Sequence, residues 1–180
     1  GEYPSTKGDY YLNGIPLSAG ETTIMAVSVD DNGLVSPLSV LNFTIGGVIE
    51  EITFEDPVLE ATVRSILKLD EEAPLMSNDL WTITSLTVPE DVTNFEDLAK
   101  LPYLQSLTIE GSRINTLHFL TQLKELEELV IRKCRFSPDE FSIIASLPKL
   151  KALTISECGI STIVGLENAT NLEYLDLSEN

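Results

Sequence analysis

Two cysteines, one histidine and a few acidic clusters are the residues of this chain best suited to chemistry. Cys134 and Cys158 lie 24 residues apart and could form a disulfide, hold a metal or supply a thiolate. No His or acid shares their place in the surrounding pattern, so metal binding is not expected, and burial as free thiols is the better reading. His118 has no serine or cysteine partner in a triad-like arrangement and is expected on the surface. Asp30, Asp31 and Asn32 suggest calcium, but the later acidic ligand of an EF-hand loop is missing and Gly33 marks a tight turn instead. Glu71 and Glu72 have no opposing carboxylate of the kind glycoside hydrolysis needs. Phosphate-cradling, dinucleotide-binding and zinc-ligand spacings are absent. The expectation is a protein that is not an enzyme and carries no cofactor.

Charge narrows the partners. The formal net charge is −18 over 180 residues, with 29 acids against 11 lysines and arginines. Such a balance disfavours nucleic acid and anionic membrane surfaces. No apolar run has the length of a membrane span, so membrane insertion is not expected. No signal peptide is visible, and the abrupt Gly1 suggests that a leader and more have been removed.

The elements that would position any functional residue follow from spacing. Leucine-led segments begin at Leu104, Leu126, Leu150 and Leu172, separated by 22, 24 and 22 residues. Each has apolar residues at its first, fourth and sixth positions, as in Leu104, Leu107 and Ile109. Ile83, Leu86 and Val88 form a degenerate first copy. The pattern resembles the leucine-rich repeat, in which stacked copies share one continuous core. Positions 1, 4, 6 and 11 then point inward, ending at Ile114, Phe136 and Ile160. Leu117, Leu120 and Leu123, or Ile163 and Leu166, line the return segments. The longer third return segment reads as a short helix. Ser137 and Glu140 form a capping box there, and Phe141, Ile144 and Leu147 face inward. The ninth position holds Ser112, Cys134, Cys158 and Asn180, where side chains satisfy backbone groups as the chain leaves the strand.

Upstream, residues 54–69 read as a helix. Asp56 is its N-cap, Pro57 occupies its first position, and Leu59, Val63, Ile66 and Leu67 form its apolar stripe. Phe54, Pro57, Leu59, Val63, Arg64 and Leu67 together resemble the N-terminal cap of internalin-like proteins of Gram-positive bacteria. The resemblance implies a helix covering the open end of the solenoid. Residues 23–29 and 38–45 read as strands flanking an Asn-Gly turn, with Gly46 and Gly47 as a hinge. Tyr10, Tyr11, Gly14, Pro16, the Gly20–Ile24 segment and Val35-Ser-Pro37 resemble the second half of a chitobiase/β-hexosaminidase C-terminal-type β-sandwich module.

The expected architecture is an α/β solenoid of leucine-rich repeats, with a parallel β-sheet on its concave face and a helical N-terminal cap, preceded by a partial all-β Ig-like sandwich. The domains are 1–47 (sandwich), 48–82 (linker and cap) and 83–180 (repeats). Residues alternating away from the core would face a ligand. Thr108, Glu110, Glu128, Val130, Arg132, Lys133, Thr154, Ser156, Tyr174 and Asp176 are therefore the expected protein-binding residues. Arg132, Tyr174 and Asp176 are the anchors. The competing reading is a self-paired, solvated face, with Glu127, Lys151 and Glu173 stacked in register and Lys133 stacked on Glu157. The internalin resemblance implies a secreted or cell-surface adhesion-like module with a host or cell-surface receptor as protein ligand. Two alternatives stay open. One is a carbohydrate-associated accessory module binding cell-wall glycan, for which Tyr3, Tyr10 and Tyr11 are candidates. The other is a structural spacer in a larger exported protein. Open sandwich or solenoid edges would permit self-association.

Overall fold

A computed structural model describes residues 20–30, 32–45 and 49–180. It divides into two compact units, residues 1–50 and 51–180. In the first unit, β1 (Gly20–Ala26) pairs antiparallel with β2 (Ser39–Ile45), Gly20 opposite Ile45 and Ala26 opposite Ser39. The first strand lies three residues earlier than its β-branched run implied, and Val29 keeps only an isolated bridge to Val35. The Asp-Asn-Gly expectation is met by a tight turn. The Asp30 carboxylate accepts from the N–H groups of Asn32 (2.9 Å) and Leu34 (2.8 Å), and Gly33 takes φ +81°. The Tyr3, Tyr10 and Tyr11 platform, Asp31 and the Gly46-Gly47 hinge lie outside the described residues.

The second unit starts with α1 (Pro57–Leu67). Asp56 caps it in extended conformation, its Oδ1 accepting from the N–H groups of Val58 and Leu59 at 3.0 Å. Leu59 and Val63 are fully buried. Ile66 is not part of the buried stripe. It shares that face by angle but lies seven residues beyond Leu59, about 10 Å along the axis, and is 46 % exposed. Arg64 fastens the loop after α1. It pairs with Glu60 (2.8 Å) and donates to the carbonyls of Asp70 (3.1 Å) and Ala73 (2.7 Å).

Five parallel strands follow in sequence order: β3 (Ser85–Val88), β4 (Ser106–Glu110), β5 (Glu128–Arg132), β6 (Ala152–Ser156) and β7 (Tyr174–Asp176). Their register puts Leu107, Leu129, Leu153 and Leu175 side by side. At the entry to each strand the second-position carbonyl accepts twice: Gln105 O from the N–H groups of Glu127 and Glu128, and Glu127 O from those of Lys151 and Ala152. Repeats of constant spacing superimpose these groups, so the leucine pattern and the hydrogen-bond ladder enforce the same register. Inward residues from Phe54 to Leu166 form one core.

The return segments are 3₁₀ turns at Glu96–Lys100, His118–Gln122 and Leu166–Asn168. The longer third one makes a 3₁₀ turn, Pro138–Glu140, running into α2 (Phe141–Ala145). Phe141, Ile144 and Leu147 are buried there, as the longer segment implied. The capping box is not formed. The Glu140 carboxylate reaches across to the preceding coil, accepting from the Leu117 N–H (2.8 Å) and the Thr116 hydroxyl (3.1 Å). A half-buried N–H without a helical partner gains more from that carboxylate than the exposed Ser137 does. Ile163 is also not inward but 51 % exposed. Its counterpart Leu117 is covered by the following coil, whereas no described segment lies over Ile163.

Each strand from β4 onward ends in a left-handed residue at the eighth repeat position: Gly111 (φ +71°), Lys133 (+52°), Glu157 (+55°) and Glu179 (+58°). Left-handed geometry costs a residue with a Cβ about 1–2 kcal/mol, and glycine escapes it. Glu157 is exposed and makes no hydrogen bond or ion pair, so Glu157→Gly is expected to stabilise the protein. After the extra chain entropy of glycine is subtracted, the gain is about 0.5 kcal/mol. Chemical denaturation measures it, and a lower midpoint for the variant would refute the strain account.

Candidate functional site

The solvent-facing side of β4–β7 carries every residue expected to bind a ligand, and it is not a uniform surface. Thr154 and Ser156, expected as contact residues, are only 8 % and 7 % exposed. They and Ala152 form a floor of small side chains along β6. On one side rise Glu128, Val130 and Arg132 of β5, and on the other Tyr174 and Asp176 of β7. Strands two apart are separated by about 10 Å, so the arrangement is a trough one side chain deep. Tyr174 stands 57 % exposed at one wall. Thr108, on β4 beyond the opposite wall, is half-buried.

The charges sort into those already engaged and those still available. Lys133 pairs with Glu110 at 2.7 Å, and the expected partner Glu157 adds only a weaker charge attraction. The Lys133–Glu110 hydrogen bond and the charge behind it hold the Glu110 carboxyl below its ordinary range and push the Lys133 ammonium up. Lys151 pairs with Glu127 at 2.7 Å, as the in-register reading required, and Lys149 with Glu125 at 2.6 Å. Glu128 accepts from the Ser106 hydroxyl at 2.8 Å. Asp176 is occupied by the Ser178 N–H (2.9 Å), which with the Ser178 hydroxyl lowers its carboxyl; Arg132 adds a smaller pull. The Arg132 side chain is exposed and makes no ion pair or hydrogen bond among the described residues. The self-paired reading therefore holds for these lysines, while among the described residues Arg132 on the trough wall has no ion-pair partner and exerts only a weak pull on Glu110 and Asp176.

The ninth-position ladder is structural. The Cys134 thiol donates to Arg132 O (3.1 Å) and lies 3.7 Å from Ile109 O, while Cys158 repeats this with Ser156 O and Ile131 O. Both cysteines are free and buried, and burial pushes both thiols above their ordinary range. Asn180 does the same work with an amide, donating to Ile155 O (2.7 Å) and accepting from the N–H groups of Cys158 and Ile160.

Two features escaped the sequence reading. Trp81 and Tyr103 form an edge-to-face pair, 6.5 Å between centroids, with Tyr103 about half exposed. Trp81 precedes β3 and Tyr103 precedes β4, but they align with Pro102 and Thr82 of each other's repeat, so the repeat pattern carried no signal for the pair. The second is Asp97, buried in the turn after β3, which accepts from the N–H groups of Glu55 (2.6 Å) and Asp56 (2.8 Å) and pairs with Lys100.

These repeats, their parallel sheet and their 3₁₀ returns define a leucine-rich-repeat solenoid. Among solved structures it is similar to two internalins of Listeria monocytogenes. The inlF internalin matches with a TM-score of 0.61 at 27 % identity, over 69 % of this chain and 37 % of that one. Internalin C2 matches with a TM-score of 0.55 at 24 % identity, over 73 % of this chain and 71 % of its own. The chain thus spans little more than a third of the inlF internalin. No protein-family model matches it, and no curated protein matches it by sequence. No helix among the described residues is long and apolar enough to cross a membrane.

Proposed function

We propose that this chain is a non-enzymatic recognition module of a secreted or cell-surface bacterial protein. Its concave sheet holds a protein ligand, such as a host or cell-surface receptor. The observation that carries the reading is the trough over β6, with an unpaired Arg132 on one wall and an exposed Tyr174 on the other. Arginine and tyrosine are the side chains that most often anchor protein interfaces, because each offers a large contact area together with directional hydrogen bonds. Similarity to internalins supports the surface-module setting. In this reading α1 is the solenoid's N-terminal cap, since it buries Leu59 and Val63 in the same core that the repeats share. Residues 1–47 are a partial Ig-like sandwich, 48–82 the linker and cap, and 83–180 the repeats.

The test immobilises the whole chain beside an Arg132→Glu/Tyr174→Ala variant and recovers bound proteins from cell-surface extracts. Proteins retained by the wild type are expected to fall about ten-fold or more with the variant, as loss of two anchors implies. Equal recovery would move the site off the concave face.

The Trp81–Tyr103 pair favours one second reading, a glycan contact, because sugars stack on exposed aromatic rings. Cell-wall glycan fragments that bind wild type and a Tyr103→Ala variant equally would remove it.

A further inference from the structure

Arg113 and Arg135 occupy the tenth position of adjacent repeats, just past the strands, and their backbones form an isolated parallel bridge. Both side chains are exposed, and neither makes an ion pair or hydrogen bond. The same position holds Val92 in the first repeat and Gly159 in the fourth, so the pairing is no requirement of the repeat. Like charges directly opposite each other on neighbouring strands destabilise the fold. Here the two stand side by side in a protein with 29 acidic residues, yet no acid lines the groove between them. That groove, about 450 Å³, is lined by Gly111, Ser112, Arg113, Asn115, Lys133 and Arg135, with Ile114 at its base. The Lys133 ammonium is held by Glu110, which leaves the two guanidinium groups as the cations of the groove without an ion pair among the described residues.

We infer that the Arg113–Arg135 groove is a second binding site, distinct from the trough, for a carboxylate carried by an acidic segment of a protein partner. Arg113 and Arg135 stand opposite each other in a backbone bridge, and each guanidinium offers a planar fork of N–H donors that a carboxylate can accept with both oxygens. Size and charge choose the ligand. Glu90 lies beside Gly111, Glu110 pairs with Lys133 and Glu157 attracts the same lysine, and the chain as a whole carries −18. A long polyanion, such as a sulfated glycan, would meet repulsion along most of its length, whereas one or two acidic side chains can seat between the arginines with the groove lining itself free of acids. The inference does not depend on the concave-face reading and can hold or fail separately from it.

The test titrates the ¹⁵N-labelled whole chain with tetraglutamate, with tetraglutamine, with inorganic phosphate and with a heparin-derived hexasaccharide, read by amide chemical shifts. Tetraglutamate is expected to shift residues 111–115 and 133–135 with a Kd of about 1 mM, and tetraglutamine to leave them unmoved. Arg113→Gln with Arg135→Gln should weaken tetraglutamate binding about ten-fold, while Lys149→Gln on another edge of the sheet leaves it intact. Both variants are surface changes, and an unchanged amide spectrum elsewhere verifies their folding. Three results would overturn the inference: tetraglutamate shifts that survive the double variant, their absence at about 10 mM peptide, or tighter binding of phosphate or hexasaccharide than of tetraglutamate.

Discussion

Replacing Asp56 by asparagine is expected to destabilise the protein by about 3 kcal/mol at neutral pH, far beyond the effect of losing an ordinary helix cap. Asp56 is 2 % exposed, and its two oxygens divide the work. Oδ1 caps α1 through Val58 and Leu59, while Oδ2 accepts from the N–H groups of Thr93 (2.8 Å) and Asn94 (3.0 Å) and the Thr93 hydroxyl (3.1 Å). Burial alone would raise this carboxyl; the donors converging on it win and lower it to about 2. An asparagine must turn its NH₂ toward one of these donor sets, leaving buried N–H groups facing another donor, so asparagine should be no milder than alanine. The pH dependence follows from the depressed value. In the unfolded chain the group titrates near 3.9, so its contribution is complete above that pH and is lost as pH falls through about 2. The folded carboxylate is thus worth about 2 kcal/mol of acid-labile stability. Urea denaturation of wild type and Asp56→Asn between pH 5 and 2 measures both quantities. Parallel pH profiles for the two proteins would show that Asp56 is not the acid-sensitive link.

Much of this architecture is legible in the sequence because a solenoid repeats its constraints. Leu104, Leu126 and Leu150 must be buried for the same reason, and each confirms the frame of the others. The short helix at Phe141–Ala145 follows from two extra residues in one repeat. What stays hidden depends on comparing side chains across repeats rather than along them. Thr154 and Ser156 alternate outward as surely as Arg132 does, and only their small size between taller neighbours makes them a floor. Alignment by position sets Lys133 against Glu157, whereas its ammonium reaches across to Glu110 at the end of β4, a choice of neighbour that repeat position alone does not decide. Asp56 showed its cap role in sequence because the cap partners lie two and three residues away. Its bonds to Thr93 and Asn94, and the return bonds from Asp97, join segments about forty residues apart that no local pattern relates.

Phe119→Ala is expected to cost about 3–5 kcal/mol, the largest single loss among these changes. Phe119 is fully buried in the return turn after β4, and its ring stacks on Phe95 of the preceding coil, 5.5 Å between centroids and 25° between planes. The ring is part of the continuous core shared by the coils. Removing it leaves a cavity that close-packed neighbours fill only in part, and forfeits the aromatic contact as well. Phe119→Leu keeps most of the volume and should cost about 1 kcal/mol. In a stacked array each coil is stabilised chiefly by its neighbours, so the defect should weaken the coupling of β3 and β4 to the later repeats. Amide hydrogen exchange in β4 and β5 would report that loss directly. Arg132 and Tyr174 lie on coils beyond the defect, so ligand affinity of the still-folded variant should match wild type under stabilising conditions. A loss below about 1.5 kcal/mol would mean that the return side packs loosely and that the sheet alone holds the coils together. Unchanged affinity with lost cooperativity would instead separate what keeps the trough in place from what the trough recognises.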